Sequence, residues 1–137
     1  KNGFKIVLNI APSLIALILA IDMLKASGGL EVLCGILSPV ARFLGIPDDV
    51  IPLTILSPIS GSGSIGMYES ILKDNGPDSF IGRCASVMMG STETTFYTVS
   101  VYFSAAGIQK TRYTIPAALF ADFVGFFMAS MTVRLLY

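Results

Sequence analysis

Two runs of small and hydroxyl-bearing residues, SGSGSIG at 60–66 and GSTETT at 90–95, each interrupt a segment otherwise apolar enough to lie in a membrane. Water cannot satisfy a loosened backbone at that depth, so each interruption must be buried in protein or must line a polar cavity. Two such segments in one short chain point to a midplane binding site of the kind found in transport-like folds. The expected architecture is an all-α integral membrane bundle with two discontinuous helices, broken or re-entrant.

Composition agrees. Hydrophobic residues make up 53% of the chain and charged residues 13%, whereas soluble domains carry roughly a quarter charged residues. Nine Lys and Arg balance nine Asp and Glu without a basic cluster, and there is neither His nor Trp. Nothing suggests a nucleic-acid surface, a histidine-ligated metal or a bound cofactor. Cys34 and Cys84 sit in apolar stretches without CxxC spacing and read as reduced, structural residues. No Ser-His-Asp, Cys-His or paired-acid arrangement is visible, so the sequence offers no enzyme.

Residues 4–26 are about the length needed to cross roughly 30 Å of hydrocarbon and read as a span, interrupted by Asn9, Pro12, Ser13 and Asp22. This stretch is too long for a signal peptide and lacks its cleavage pattern. Residues 30–46 are shorter, cut by Pro39 and ended near Arg42, which suits an interfacial or partly inserted helix. Residues 50–72 contain Pro52, Pro58 and the first break. The expectation is two half-helices, 50–56 and about 65–73, with extended or tightly turned backbone between them. Residues 73–78 form a turn, and a long apolar stretch then runs from Asp78 or Ser79 to Ala106 with the second break near its middle. After a polar loop at 107–114, residues 115–136 form the closing span, with Asp122 inside it.

The length fits one domain over 1–137. The order of span, broken segment, broken segment and span is what an inverted arrangement would give. Lys1, Lys5, Lys110 and Arg112 would share the cytoplasmic side under the positive-inside rule, with Arg134 as the discordant charge.

The first break formally matches GxGxxG at Gly61, Gly63 and Gly66. Pro52 and Pro58 would remove ladder donors from a strand that ought to be central, and the strand-helix alternation of a dinucleotide fold is missing. Close helix packing explains the glycines alone. Ser57, Ser60, Ser62 and Ser64 add rotatable donors and acceptors beside a proline break, which suits a ligand- or pore-lining surface.

Within the second break Glu93 is the one acidic or basic residue between 84 and 109. An unpaired carboxylate at a helix centre costs about 2.5–3.5 kcal/mol on insertion scales, so an intramembrane acid is a functional candidate. Gly90, Ser91, Thr92, Thr94 and Thr95 surround it, and Tyr97 is placed to donate to Glu93 or to a ligand. In a continuous helix Gly82, Ser86, Gly90, Thr94 and Thr98 would form a small-residue packing stripe. Asp22 suits an interfacial position near Lys25. Asp122 has Arg112, Arg83 or a hydroxyl of the second break as candidate partners.

The stretches SPISGS at 57–62, NGPDSFIGR at 75–83, ASVMMGSTETTFY at 85–97, GIQKTR at 107–112 and AD at 121–122 closely resemble the spore maturation protein B family. That family belongs to the wider nucleoside-recognition, or gate, domain group of membrane proteins. The resemblance covers nearly the whole chain. It implies a multi-spanning protein of the cytoplasmic membrane, involved in spore maturation and core dehydration and acting with a companion, spore maturation protein A, or with further copies of itself. It also implies a small-solute or nucleoside-like site at 60–64 and 90–95. Where similar proteins have an Arg-Pro-Leu-Ser-Gly-Ser motif, this chain has Ser57 before Pro58, so no positive charge is carried over there. Similar proteins carry a further apolar segment ahead of the equivalent of Lys1, so an N-terminal segment is expected to be missing. A non-transporting scaffold is the alternative to a solute gate.

Overall fold

A computed structural model describes residues 26–137 continuously and, ahead of them, Lys5, Leu8, Ala11, Pro12, Ile15, Ala16, Leu19, Ala20 and Met23. The expected span over 4–26, including Asn9, Ser13 and Asp22, therefore lies largely outside the described residues. Among the described residues every regular element is helical and no strand occurs.

Helix α1, Gly29–Phe43, divides its apolar residues between two faces. Leu33, Cys34 and Ala41 pack inward, while Val32, Ile36, Val40 and Phe43 are exposed. Its 15 residues span only about 22 Å at 1.5 Å per residue, short of a full crossing. Gly45 follows at φ 76, a left-handed conformation that glycine adopts without steric cost. Its carbonyl accepts from Ser130 Oγ at 2.8 Å and from Arg134 Nη2 at 3.0 Å. This turn thereby anchors α1 to the last helix.

One 3-10 turn, Asp48–Val50, leads into the short α2, Ile51–Leu56, with Pro52 in its first turn where no intrahelical donor is lost. Val50, Ile51, Leu53, Ile55 and Leu56 are all buried, which makes this six-residue helix the centre of the fold rather than a connector. Arg42 pairs with Asp48 at 2.7 Å on the exposed side of the turn.

Helix α3, Gly61–Asn75, starts four residues earlier than its expected beginning near Ile65. Ser60 explains the difference. Its backbone is extended, its Oγ accepts from Gly63 N at 3.1 Å, and its carbonyl accepts from Ser64 N and Oγ at 2.9 and 2.7 Å. A serine cap satisfies donors that the first helical turn would otherwise leave orphaned, so the glycines and serines of 61–64 become that turn instead of extended backbone. The non-helical stretch between α2 and α3 shrinks to 57–60.

The turn after α3 places Gly76 at φ 83, and Ser79 caps α4, Phe80–Ser91, by accepting from Gly82 N at 2.9 Å. Helix α4 ends at Ser91 and α5, Thr95–Ala106, begins four residues on, with 92–94 non-helical. Gly107 at φ 69 closes α5.

Helix α6, Thr114–Leu136, has 23 residues and a mean hydropathy of 1.6 over its most apolar window. At about 34 Å it is the one described helix long and apolar enough to cross a membrane. Its inner face packs along α4, bringing Phe126, Ala129 and Val133 into one core with Cys84, Ala85 and Met88. Its outer face leaves Phe120, Val124, Met128, Met131 and Leu135 exposed. An exposed apolar face of this extent is unusual on a soluble monomer and suits contact with lipid or a partner.

Candidate functional site

The two interruptions meet. Phe96 N, an orphan donor at the start of α5, donates to the Pro58 carbonyl at 2.9 Å. Pro58 sits in the turn where the chain leaves α2, so a backbone hydrogen bond ties the end of one helix to the beginning of another. Beside it the hydroxyls of Ser57 and Thr92 lie 3.0 Å apart. Thr92 Oγ1 donates its proton to the Met88 carbonyl at 3.1 Å, so the bond between the two hydroxyls runs from Ser57 to Thr92.

Glycine permits part of this approach. A Cβ on Gly61 would stand 3.2 Å from Thr94 Oγ1, and one on Gly125 of α6 would stand 3.3 Å from the Thr92 methyl. These distances are tighter than ordinary contact, so the hydroxyl-bearing stretch 92–94 is wedged between the start of α3 and the middle of α6. Thr95 then donates to Asp122 Oδ2 at 2.6 Å, a buried pair joining the first residue of α5 to α6. Of the partners the sequence offered Asp122, a hydroxyl of the second break is the one found.

The structure thus brings together Ser57, Gly61, Thr92, Thr94 and Thr95. Several other candidates have local roles. Ser60, Gly63 and Ser64 form the α3 cap, and Ser91 Oγ donates to the Met88 carbonyl at 3.2 Å. Ser62, Gly90, Ser91, Glu93 and Tyr97 are exposed, so within this single chain each sits at the surface rather than in an enclosed pocket.

The packing residues also separate. Gly82 is buried, but the neighbour that demands a glycine is its own preceding turn: a Cβ there would collide with the Gly76 carbonyl oxygen and approach that of Pro77 at 3.0 Å. Ser86 donates to the Gly82 carbonyl at 2.8 Å, which leaves Tyr68 of α3 to donate to Ser86 across 3.1 Å. At Gly90 an added methyl would meet nothing within 4 Å. The stripe from Gly82 to Thr98 does not run on, because the non-helical residues 92–94 take α5 out of register with α4.

Sequence reasoning did not find the backbone bond from Phe96 to Pro58, which leaves no side-chain signature. It also did not find a groove of about 430 Å³ bordered by the meeting residues Pro58 and Phe96, between α1, α2 and α6. Its walls are largely apolar, with Leu33, Ile55, Pro58, Phe96 and Phe123 among them, and Asp122 is the one charged residue among those described that lines it. Among the described residues no cluster of His, Cys, Asp and Glu could hold a metal ion.

An all-helical chain whose last helix is long and apolar enough to cross a membrane, with residues 57–60 and 92–96 joined by backbone and hydroxyl contacts, fits a helical membrane domain. Comparison with known proteins gives it a name, since residues 7–109 match the family described as "Gate: Nucleoside recognition". Over all 137 residues the chain is 42% identical to spore maturation protein B of Bacillus subtilis (strain 168), covering 77% of that protein. This chain belongs to the spore maturation protein B family of gate-domain membrane proteins. No solved structure matches it.

Proposed function

We propose that this chain is a multi-pass protein of the cytoplasmic membrane that serves spore maturation and core dehydration as a gate. In this reading the pairs α2–α3 and α4–α5 are discontinuous membrane helices, in an inverted arrangement, whose interruptions form one wall of a pocket for a small polar, nucleoside-like solute. The observation that carries it is the Phe96 to Pro58 hydrogen bond of 2.9 Å, which fastens the two interruptions together. Irregular backbone at membrane depth is tolerated where it is buried in protein or lines a cavity. Glu93 is the principal polar or proton-linked group. Its exposure, with that of Ser62 and Tyr97, suits a pocket whose other wall comes from a companion like spore maturation protein A or from a second copy.

A second reading is a non-transporting scaffold. Gly90, exposed with an empty surrounding, favours it as a place where another helix could approach closely.

The test is thermal stability of the detergent-purified protein, with its companion, against nucleosides, nucleobases, dipicolinate and metal ions, for wild type and Glu93→Gln. The gate predicts a concentration-dependent stabilisation that the variant loses. No shift with any compound, while the companion complex persists, favours the scaffold. Normal spore maturation with Glu93→Gln would remove Glu93 from the account.

A further inference from the structure

Asp122 is the ninth of 23 residues in α6, so its Cα lies about 12 Å along the axis from Thr114. It is only 8% exposed. Thr95 supplies one hydrogen bond, whereas a carboxylate has room for about four. The ion pairs among the described residues are Arg42 with Asp48 and Arg83 with Asp78, and neither reaches Asp122. A buried carboxylate without a counter-charge is expensive unless it is protonated or paired. The same residue also lines the groove, whose volume of about 430 Å³ is in the range that holds small molecules.

We propose that this groove is a binding site for a small organic ammonium ion, its charged head on Asp122 and its compact apolar body against Leu33, Ile55, Phe96 and Phe123. Charge complementarity selects the head, since the other groove walls are almost entirely apolar. Phe96 and Phe123 offer aromatic surface to a cation and to the carbon skeleton behind it. With α6 crossing the membrane as in the proposed function, Asp122 lies about 12 Å along the helix from Thr114, which selects a free amine over a lipid headgroup, whose charge stays at the interface of a roughly 30 Å core. The site differs from the solute pocket proposed above. It shares Pro58 and Phe96 with the meeting point but does not use Glu93, so either one can fail alone.

The probe is 2-phenylethylammonium, compared with propylbenzene, a neutral molecule of similar shape, in thermal unfolding of the purified full chain at fixed detergent concentration. The ammonium ion should raise the unfolding temperature with increasing concentration. Asp122→Asn should weaken its apparent affinity at least tenfold. Because that variant also alters the Thr95 contact, Leu33→Trp serves as a second one, filling the groove while leaving Asp122 intact, and it should weaken binding comparably. Glu93→Gln should bind as wild type does. Equal stabilisation by propylbenzene, or full retention of the ammonium effect in both groove variants, would overturn the assignment, as would the absence of any shift in wild type.

Discussion

Gly82→Ala is a one-methyl change with an unusually definite structural cost. Gly82 occupies the third position of α4, where Ser79 Oγ accepts its N–H at 2.9 Å and donates to the Gly76 carbonyl at 2.9 Å. The same Gly76 carbonyl lies over the Gly82 Cα, inside the reach of any added methyl, and the Pro77 carbonyl stands 3.0 Å from it. Both obstacles are backbone, so a rotamer change cannot relieve the clash. Moving the turn costs about 1–3 kcal/mol as overpacking, and disrupting the Ser79 cap adds about 1 kcal/mol. Replacing a helical glycine returns roughly 0.5–1 kcal/mol. The net expectation is a loss of about 1–3 kcal/mol, read as a fall in thermal or denaturant midpoint of the purified protein. Gly66→Ala is the matched control. Gly66 lies in the middle of α3 with nothing within 4 Å of its methyl position, so only the propensity gain of about 0.5–1 kcal/mol should appear. Opposite signs for the two substitutions are required. A Gly82→Ala protein as stable as wild type would refute the role assigned to the 76–79 turn.

Thr95→Val removes the donor to buried Asp122 and should cost about 1–3 kcal/mol in the same assay, with Thr95→Ser restoring most of it. Gly45→Ala should lose about 1–2 kcal/mol, chiefly through the left-handed backbone at φ 76, since the Arg134 guanidinium beside it sits at the end of a flexible side chain. Gly90→Leu should leave the isolated chain's stability within about 0.5 kcal/mol of wild type. If the scaffold reading holds, it should nonetheless abolish co-purification with a spore maturation protein A-like companion.

The legible parts of this chain are those with local chemical causes. Pro58 and the hydroxyl-rich run around Glu93 announce the non-helical residues 57–60 and 92–94, and the Gly-Pro turn at 76–77 announces the connection between α3 and α4. The start of α3 is misplaced when Gly61 and Gly63 are treated as helix breakers, because a serine cap allows such residues to form a first turn. Spacing alone assigns Gly82 to packing between helices, since it cannot reveal a preceding turn folded back on the same helix. Asp122 has three candidate partners by sequence. Choosing Thr95, 27 positions away, depends on the register between α4 and α6, which is fixed by Cys84, Ala85 and Met88 meeting Phe126, Ala129 and Val133.

How α5 is attached follows from the same geometry. Thr95 is the one buried residue of this twelve-residue helix, and it is also the first. The named contacts that hold the helix, Phe96 N to the Pro58 carbonyl and Thr95 to Asp122, both lie at that end. Helix α4, by contrast, buries Gly82, Cys84, Ala85 and Met88 along its length. A helix fully buried along its length must unpack many apolar side chains to move, whereas α5 is fully buried only at Thr95 and half-buried at Thr98, Val99, Val101 and Phe103 beyond it. The interruption at 92–94 is therefore where a change in contacts would have the greatest leverage on α5. A ligand could use that leverage only through different affinities for its two positions. Hydrogen exchange gives the corresponding measurement: amides from Val99 to Ala106 should exchange faster than those from Cys84 to Met88. Equal protection in the two stretches would refute this difference in attachment.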